Sequence, residues 1–456
     1  MTRSTIARGA FATVVFLLTV AAGYWALQRY AHRAAVTSPA AVPSPAPAAQ
    51  TQPAAEAQGF LYGRITTAEG GTYEGRLRWG GDQEAFWGDY FNGTKHKNPW
   101  LAYIPPERLP RERQQFEFLG IKILERKVPG EVSRQFLARF GEIKHIEARG
   151  SREVLVTLKN GTVFVLNRFD ASDFDDGVRV WDGKRGVVTL DSLRIRAIEL
   201  LPTPSPGASA PYRLHGTVRT RQGDFTGFVG WNRDESVGTD ELDGHTADGK
   251  LSRLRFDTLR SIARRSPDSS LVTLLDGREI ALSGTSDVGH GNGGIYVDDR
   301  RYGRVLISWD AFERVDFSPG GGGPAYGDFP PGHPLTGSVT TRAGRRLTGR
   351  LVYDLDESET IDTLDAPSQG VDYTILFGLI ASIVPPGREE GGAQRGRVIL
   401  RNGEELELEP AGDLGEKNAG LLIFVDGQRP EYVPWADVGK VDLDPPPAMY
   451  PPLGGR

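Results

Sequence analysis

The sequence predicts an all-β protein of three tandem modules, each built from two similar halves. Three observations predict it: a strand–glycine–strand motif that recurs along the chain, apolar residues alternating with polar ones, and 456 residues punctuated by 57 Gly and 31 Pro. A chain this long exceeds a single core and divides into domains of roughly 100–150 residues. Frequent Gly and Pro suit short strands and many turns.

The repeat opens alike in each module. Ile65-x-Thr67-x-x-Gly70, Val218-x-Thr220-x-x-Gly223 and Val339-x-Thr341-x-x-Gly344 share one spacing. A second glycine follows (Gly75, Gly227, Gly349), and four residues later an aromatic (Trp79, Trp231, Tyr353). An acidic turn comes next: Asp234-Glu235 aligns with Asp356-Glu357, and Asp240-x-Leu242-Asp243 with Asp362-x-Leu364-Asp365. The first copy is looser, with Asp89-x-Phe91-Asn92. Each first half closes on an aromatic followed by apolar residues three apart: Phe140-x-x-Ile143-x-x-Ile146, Phe256-x-x-Leu259-x-x-Ile262 and Phe377-x-x-Ile380-x-x-Ile383. Searching for such self-similarity first guards against misreading the fold.

The second halves restate the plan. Val156-x-Leu158-x-x-Gly161, Val272-x-Leu274-x-x-Gly277 and Val398-x-Leu400-x-x-Gly403 open them. Trp309-Asp310-x-Phe312-x-x-Val315 and Trp435-x-x-Val438-x-x-Val441 close two, while the copy at Leu190-Asp191-x-Leu193 places Arg196 where an apolar residue is expected. Val272-Thr273-Leu274 and Ile280-Ala281-Leu282 show the period of two of a half-buried strand. Gly277 after Asp276 and Gly403 after Asn402 supply the positive φ of a tight hairpin. The closing pattern suits a short 3₁₀ turn before a last strand. A half of about 45–50 residues is too short for a Rossmann or large-barrel core.

With its strand–Gly turn–strand opening (Val272 to Leu282), its Asp287- and Asn292-containing loop and its closing 3₁₀ strand, each half resembles the SH3-like and Sm-like small β-barrels. The resemblance covers most of residues 60–444 and implies fold alone: two five-stranded barrels per module, after one N-terminal hydrophobic helix. Pro/Gly/Ser-rich stretches at 202–211 and 318–334 set the modules at 60–201, 212–317 and 335–444, with a Pro-rich tail at 445–456.

Residues 9–27 form an uncharged run of 19, preceded by Arg3 and Arg8 and followed by Arg29 and Arg33. That length just crosses a bilayer as a helix, with Tyr24 and Trp25 near an interface. A cleaved signal peptide, with an apolar core from Phe11 to Ala22, is the competing reading of segment 1–33. Residues 34–59 are an Ala/Pro-rich spacer. Both readings place the rest outside the cytoplasm: a single-pass inner-membrane protein of a bacterial-type envelope, or a secreted one. The chain has no Cys, so it has no disulfide or thiolate metal site. Its net charge of -5 lacks the footprint of a general nucleic-acid binder.

No catalytic, cofactor-binding or metal-binding residue is assigned. Gly289-His290-Gly291-Asn292-Gly293-Gly294 contains G-x-G-x-x-G, but the strand pattern Ile295-Tyr296-Val297 follows, which reads as a turn and not a dinucleotide motif. Asp234, Glu235, Asp240 and Asp243, and Asp354, Asp356, Glu357, Asp362 and Asp365, have no EF-hand spacing and read as solvated turn carboxylates. The seven histidines stand singly, and no G-x-S-x-G or Walker loop occurs. Trp79, Trp231, Trp309 and Trp435 recur at fixed positions and read as core, with carbohydrate-stacking platforms as the rival. An insertion at 95–139, with ten Lys or Arg against five Glu, reads as an elaborated strand pair on its own module or as a contact for acidic headgroups or a partner.

The function expected is a non-enzymatic, membrane-anchored envelope scaffold that binds envelope proteins. A module that binds peptidoglycan or another polysaccharide is the alternative, and an enzyme whose site is assembled only in three dimensions stands third.

Overall fold

The computed structural model describes residues 59–447, apart from 81–82, 96–97, 105–110, 119–120, 130–133, 169–176, 205–211, 321–322, 388–393 and 426–428. The hydrophobic segment 9–27, the spacer to residue 58 and most of the Pro-rich tail lie outside the described residues. Among those described, no helix is long and apolar enough to cross a membrane.

The chain is all-β. The first repeat contributes β1 (Tyr62–Thr67), β2 (Thr72–Trp79), β3 (Tyr90–Lys95), β4 (Arg111–Phe118), β5 (Ile121–Pro129), β6 (Arg134–Arg139), β7 (Ile143–Arg149), β8 (Glu153–Leu158), β9 (Val163–Asn167), β10 (Val178–Asp182), β11 (Gly186–Leu190) and β12 (Ile195–Leu200). The second gives β13 (His215–Thr220), β14 (Gly223–Gly230), β15 (Glu241–His245), β16 (Leu251–Arg255), β17 (Leu259–Ser266), β18 (Ser269–Leu274), β19 (Glu279–Ser283), β20 (Ile295–Asp299), β21 (Gly303–Ile307) and β22 (Phe312–Phe317). The third gives β23 (Thr336–Thr341), β24 (Arg346–Val352), β25 (Thr363–Ser368), β26 (Val371–Leu376), β27 (Ile380–Val384), β28 (Gly396–Leu400), β29 (Glu405–Leu408), β30 (Leu421–Phe424), β31 (Glu431–Val433) and β32 (Val438–Leu443).

These strands form three large antiparallel sheets of ten, twelve and eight strands, and the β4–β5 hairpin stands as a two-stranded sheet of its own. Local chemistry follows the sequence pattern. Gly277 and Gly403 hold φ of +88° and +89° in their hairpin turns. The closing segments Phe140–Glu142, Phe256–Thr258, Phe377–Leu379, Ser192–Arg194 and Trp435–Asp437 are 3₁₀ turns leading straight into β7, β17, β27, β12 and β32.

Strand pairing corrects one expectation: a half does not fold on its own strands as a closed five-stranded unit. In the twelve-stranded sheet the order is β16-β15-β19-β18-β17-β22-β13-β14-β20-β21-β26-β25. The first two strands of one half therefore continue into the last three of the other: β13 and β14 join β20, β21 and β22, while β18 and β19 join β15, β16 and β17. The first repeat has the same order, β11-β10-β2-β1-β12-β7-β8-β9-β3-β6. The second glycine of the motif sits at this exchange. A Cβ on Gly75, Gly227 or Gly349 would lie 1.9, 2.1 or 2.2 Å from a backbone oxygen of the incoming strand (Trp181, Asp298, Phe424). Only glycine lets strands from the two halves approach that closely.

The third repeat departs. Its β25–β26 hairpin is paired to the neighbouring repeat, with β26 bound to β21 from Gly303↔Ile375 to Ile307↔Val371. One apolar cluster accordingly runs through the second and third repeats, from Leu214 to Leu443. A separate cluster fills the first repeat and takes in Phe228, Phe329, Ile361 and Leu376 from the others.

Candidate functional site

The acidic turns are built identically in the second and third repeats. Trp231 and Tyr353 directly follow β14 and β24 with their rings in the core, 0% and 1% exposed. The chain then turns through two residues of positive φ, Asn232 (51°) and Arg233 (70°), or Asp354 (47°) and Leu355 (55°). Consecutive left-handed residues define the tight hairpin turn for which Asn and Asp are suited. The backbone N–H of Trp231 donates to Glu235 O, and that of Tyr353 to Glu357 O, each at 2.7 Å. Asp240 and Asp362 close the turn by accepting two backbone N–H groups each, from Ser236 and Val237 and from Ser358 and Glu359. Asp89 does the same for Glu84 and Ala85 in the first repeat.

A second loop completes each cluster. Asp287 accepts from Asp243 N at 2.8 Å, and Asp413 from Asp365 N at 2.7 Å. The carbonyl of Asp287 accepts from Trp231 Nε1 and that of Asp413 from the Tyr353 hydroxyl, each at 2.9 Å. Asn292 and Asn418 donate to the same two carbonyls and cap Gly294 N and Gly420 N. Asn232 accepts from Gly293 N where Asp354 accepts from Ala419 N. The two clusters are thus Asn232, Asp234, Glu235, Asp243 and Asp287, and Asp354, Asp356, Glu357, Asp365 and Asp413. The G-x-G-x-x-G string lies in this second loop, with no helix after it. In the first repeat, Asp82 and the loop 169–176 lie outside the described residues.

The third-repeat cluster is closed. Asp354 and Asp356 are 5% and 8% exposed, which corrects their reading as solvated turn carboxylates. Lys95, at the end of β3, reaches Asp356 at 2.6 Å, and Arg134, its cross-strand partner on β6, reaches Asp354 at 3.2 Å. Burial alone lowers the Lys95 ammonium, but Asp356, Asp362 and Glu357 together hold it above its usual range. Burial raises Asp354 to about 6 against the lowering pull of Arg134, and raises Glu357 and Asp413 well above the carboxylate range. Around this ion pair residues 98–104 of the insertion pack on the third repeat, while β6 at its end pairs with β3 and sets Phe136 and Ala138 in the core of its own repeat. Trp100, Leu101 and Ile104 join Val352, Leu355, Ala419 and Leu422 in one apolar cluster, and Asn98 donates to Leu355 O.

The second-repeat cluster is open. Asn232, Asp234, Glu235, Glu241, Asp243, Thr285, Ser286, Asp287 and Arg253 line a pocket of 410 Å³. Burial first, then Asp287 and Asp234, raises Glu235 to about 9, so it carries a proton at neutral pH. From the first repeat Arg78 reaches Asp240 of the same turn at 3.5 Å, and burial raises the Asp234 carboxyl against the downward pull of Arg78. Arg253 faces Asp243 at 3.6 Å on the rim, both side chains exposed.

A third group of charges joins the first and second repeats. Arg304 bonds Asp298 at 2.9 Å and Asp89 at 3.4 Å, and Arg213 donates to Trp87 O at 2.8 Å and faces Asp298 at 3.5 Å. All four charges are largely buried, so the network fixes how the repeats meet.

The recurring aromatics are core. Trp79 and Trp231 are 0% exposed and Trp309 4%, and half-buried Trp435 packs on Tyr353 at 5.6 Å between ring centres. Among the described residues no group of three or more His, Asp and Glu has the geometry of a metal site. No protein-family model, curated protein or solved structure matches the chain.

Proposed function

We propose that the protein is a non-enzymatic scaffold of a bacterial-type envelope, anchored through residues 9–27 and presenting its fused β-repeats to protein partners beyond the membrane. The observation that carries this reading is the burial of the recurrent aromatics: Trp79, Trp231 and Tyr353 lie in the core and offer no stacking platform for a sugar ring. The sheets support it too, since each ends in edge strands whose unpaired backbone groups suit pairing with another chain. Within the sheets, each run of five strands whose closing strand follows a 3₁₀ turn, such as β12-β1-β2-β10-β11, is a small SH3-like barrel assembled from two halves.

The test is capture of solubilised envelope proteins by the full chain in detergent, with sedimentation of purified peptidoglycan run beside it. Saturable protein capture without co-sedimentation is expected. Saturable co-sedimentation without a protein partner overturns the scaffold and makes this a wall-binding protein.

A further inference from the structure

We infer that the cleft where the second and third repeats meet is a docking groove for an extended, net-basic peptide segment of a protein partner, which pairs with the outer edge of β29 and hydrogen-bonds the Tyr373 hydroxyl. The inference rests on the scaffold reading above and names the edge and the kind of chain it takes.

The cleft has a volume of 350 Å³ and lies between two stretches of strand, residues 222–225 at the start of β14 and Glu405–Leu408 of β29. Four consecutive residues of β29 line it. Side chains of a strand alternate between its two faces, so only the strand's edge is common to all four. β29 is the last strand of the eight-stranded sheet and pairs on one side with β28. The hairpin bond from Leu400 N to Glu404 O sets the alternation: Leu406 exchanges bonds with Val398, and Glu405 and Glu407 turn their backbone groups outward. At its far end this edge is already engaged by the end of β25, with Ser368 Oγ donating to Glu407 O at 3.2 Å and Glu409 N to Pro367 O at 2.9 Å. Among the described residues, none meets the outward N–H and C=O of Glu405 or the N–H of Glu407. That is the opening an added strand requires.

The floor of the cleft supplies a second, independent contact. Phe225, Tyr302 and Tyr373 pack on one another there, with ring centres 5.3, 5.9 and 6.0 Å apart. Tyr302 gives its hydroxyl to Glu404. Tyr373 lines the cleft and is only 5% exposed, yet its hydroxyl has no hydrogen-bond partner among the described residues. A buried hydroxyl without a partner is costly, and a polar group of an entering strand offsets that cost. Charge selects the strand. Asp224, Glu404, Glu405 and Glu407 line the cleft against Arg301 and Arg395. Arg301 is tied to Asp299 and Glu405 to Arg397, and with these two partners included five carboxylates still face three guanidiniums. A segment with a surplus of Lys or Arg complements that field.

A phage-displayed random heptapeptide library panned on the full chain in detergent supplies the probe. Recovered peptides are expected to carry more Lys and Arg than Asp and Glu, and the tightest of them, synthesised with a fluorophore, to bind saturably. N-methylation of alternate amides of that peptide blocks strand pairing and keeps its side chains, and is expected to weaken binding roughly tenfold or more. Tyr373→Phe deletes only the unpartnered hydroxyl, so it is expected to weaken binding roughly threefold or more without lowering the melting temperature. Glu405→Pro removes the outward N–H of an edge strand and is expected to act like N-methylation. Asp310→Asn, at a carboxylate 91% exposed and outside the cleft, is expected to leave affinity unchanged. No enriched peptide, an acidic consensus, or binding indifferent to N-methylation or to Tyr373→Phe overturns the proposal. Envelope-protein capture that persists in the presence of saturating peptide would sink the groove while leaving the scaffold standing, whereas peptidoglycan co-sedimentation in place of capture sinks the scaffold itself.

Discussion

The second and third repeats carry the same acidic turn, yet one is a surface pocket and the other a buried ion-pair core. The backbone does not differ: both turns pass through two left-handed residues and both are closed by an aspartate that accepts two amides. What differs is the neighbour. In the third repeat the strand ends of β3 and β6 bring Lys95 and Arg134, and the charge of Asp354 accompanies the guanidinium. In the second, Arg78 near the end of β2 stops at Asp240, 3.5 Å away, and the residue at the position of Asp354 is the neutral Asn232. A repeated loop becomes structure or surface according to where the chain places its counter-ions: at the centre of the third cluster, at the rim of the second.

The sharpest way to break this comparison is to remove the counter-ion. Lys95→Met strands Asp356 and its neighbours without a cation, and breaking one side of a buried pair costs about 3–5 kcal/mol. Urea unfolding is expected to show that loss, whereas Asp234→Asn in the open cluster is expected to change stability by no more than about 0.5 kcal/mol. Equal small effects at both sites would mean that the closed cluster is not an ion-pair core.

Protonation gives the next largest contrast. Glu235 is raised to about 9 in the folded protein, against an unfolded value near 4.3. Its contribution to stability is therefore complete below about pH 4.3 and is lost progressively as pH rises toward 9. Glu235→Gln removes that loss, so the variant is expected to melt higher than the parent at pH 8, by on the order of 1–2 kcal/mol in stability, and alike at pH 4. A difference that grows toward acid pH would reverse the assignment.

Much of this was legible in the sequence, for a physical reason: turns, caps and core aromatics are set by neighbouring residues. Gly277 and Gly403, the closing 3₁₀ turns, and the burial of Trp79 and Trp231 all follow from local pattern. The partition into sheets was not legible. Chain order gives β13 to β17 as one unit, yet β14 pairs with β20 across an intervening β15–β19, and β26 pairs with β21 of another repeat. Such pairings depend on register between distant strands, which alternation of apolar residues leaves open. The one local trace was the second glycine of the motif, whose missing Cβ marks the close strand approach. Occupancy of the third cluster was hidden for the same reason, since Lys95 and Asp356 stand 261 residues apart.

A smaller effect tests the aromatic beneath the turn. Tyr353→Phe deletes one hydrogen bond to Asp413 O, but that carbonyl still accepts from Asn418. The cost is expected to be about 0.5–1.5 kcal/mol, the net worth of a single bond with its acceptor still satisfied. A loss several times larger would mean that the hydroxyl holds the two loops together by itself.

Asn232→Asp makes the open cluster resemble the closed one by a single atom, without the arginine that accompanies Asp354. The new carboxylate loses the amide donation from Asn232 Nδ2 to Asp287, now 3.0 Å, and faces a like charge instead. The variant is expected to be less stable by about 1.5–3 kcal/mol, as for other lost hydrogen bonds to charged groups. Thermal melting checks it: an unchanged midpoint would show that the Asn232 amide does not hold Asp287, whereas the expected loss shows that the neutral residue is what keeps the open cluster from repelling itself where no Arg134 arrives.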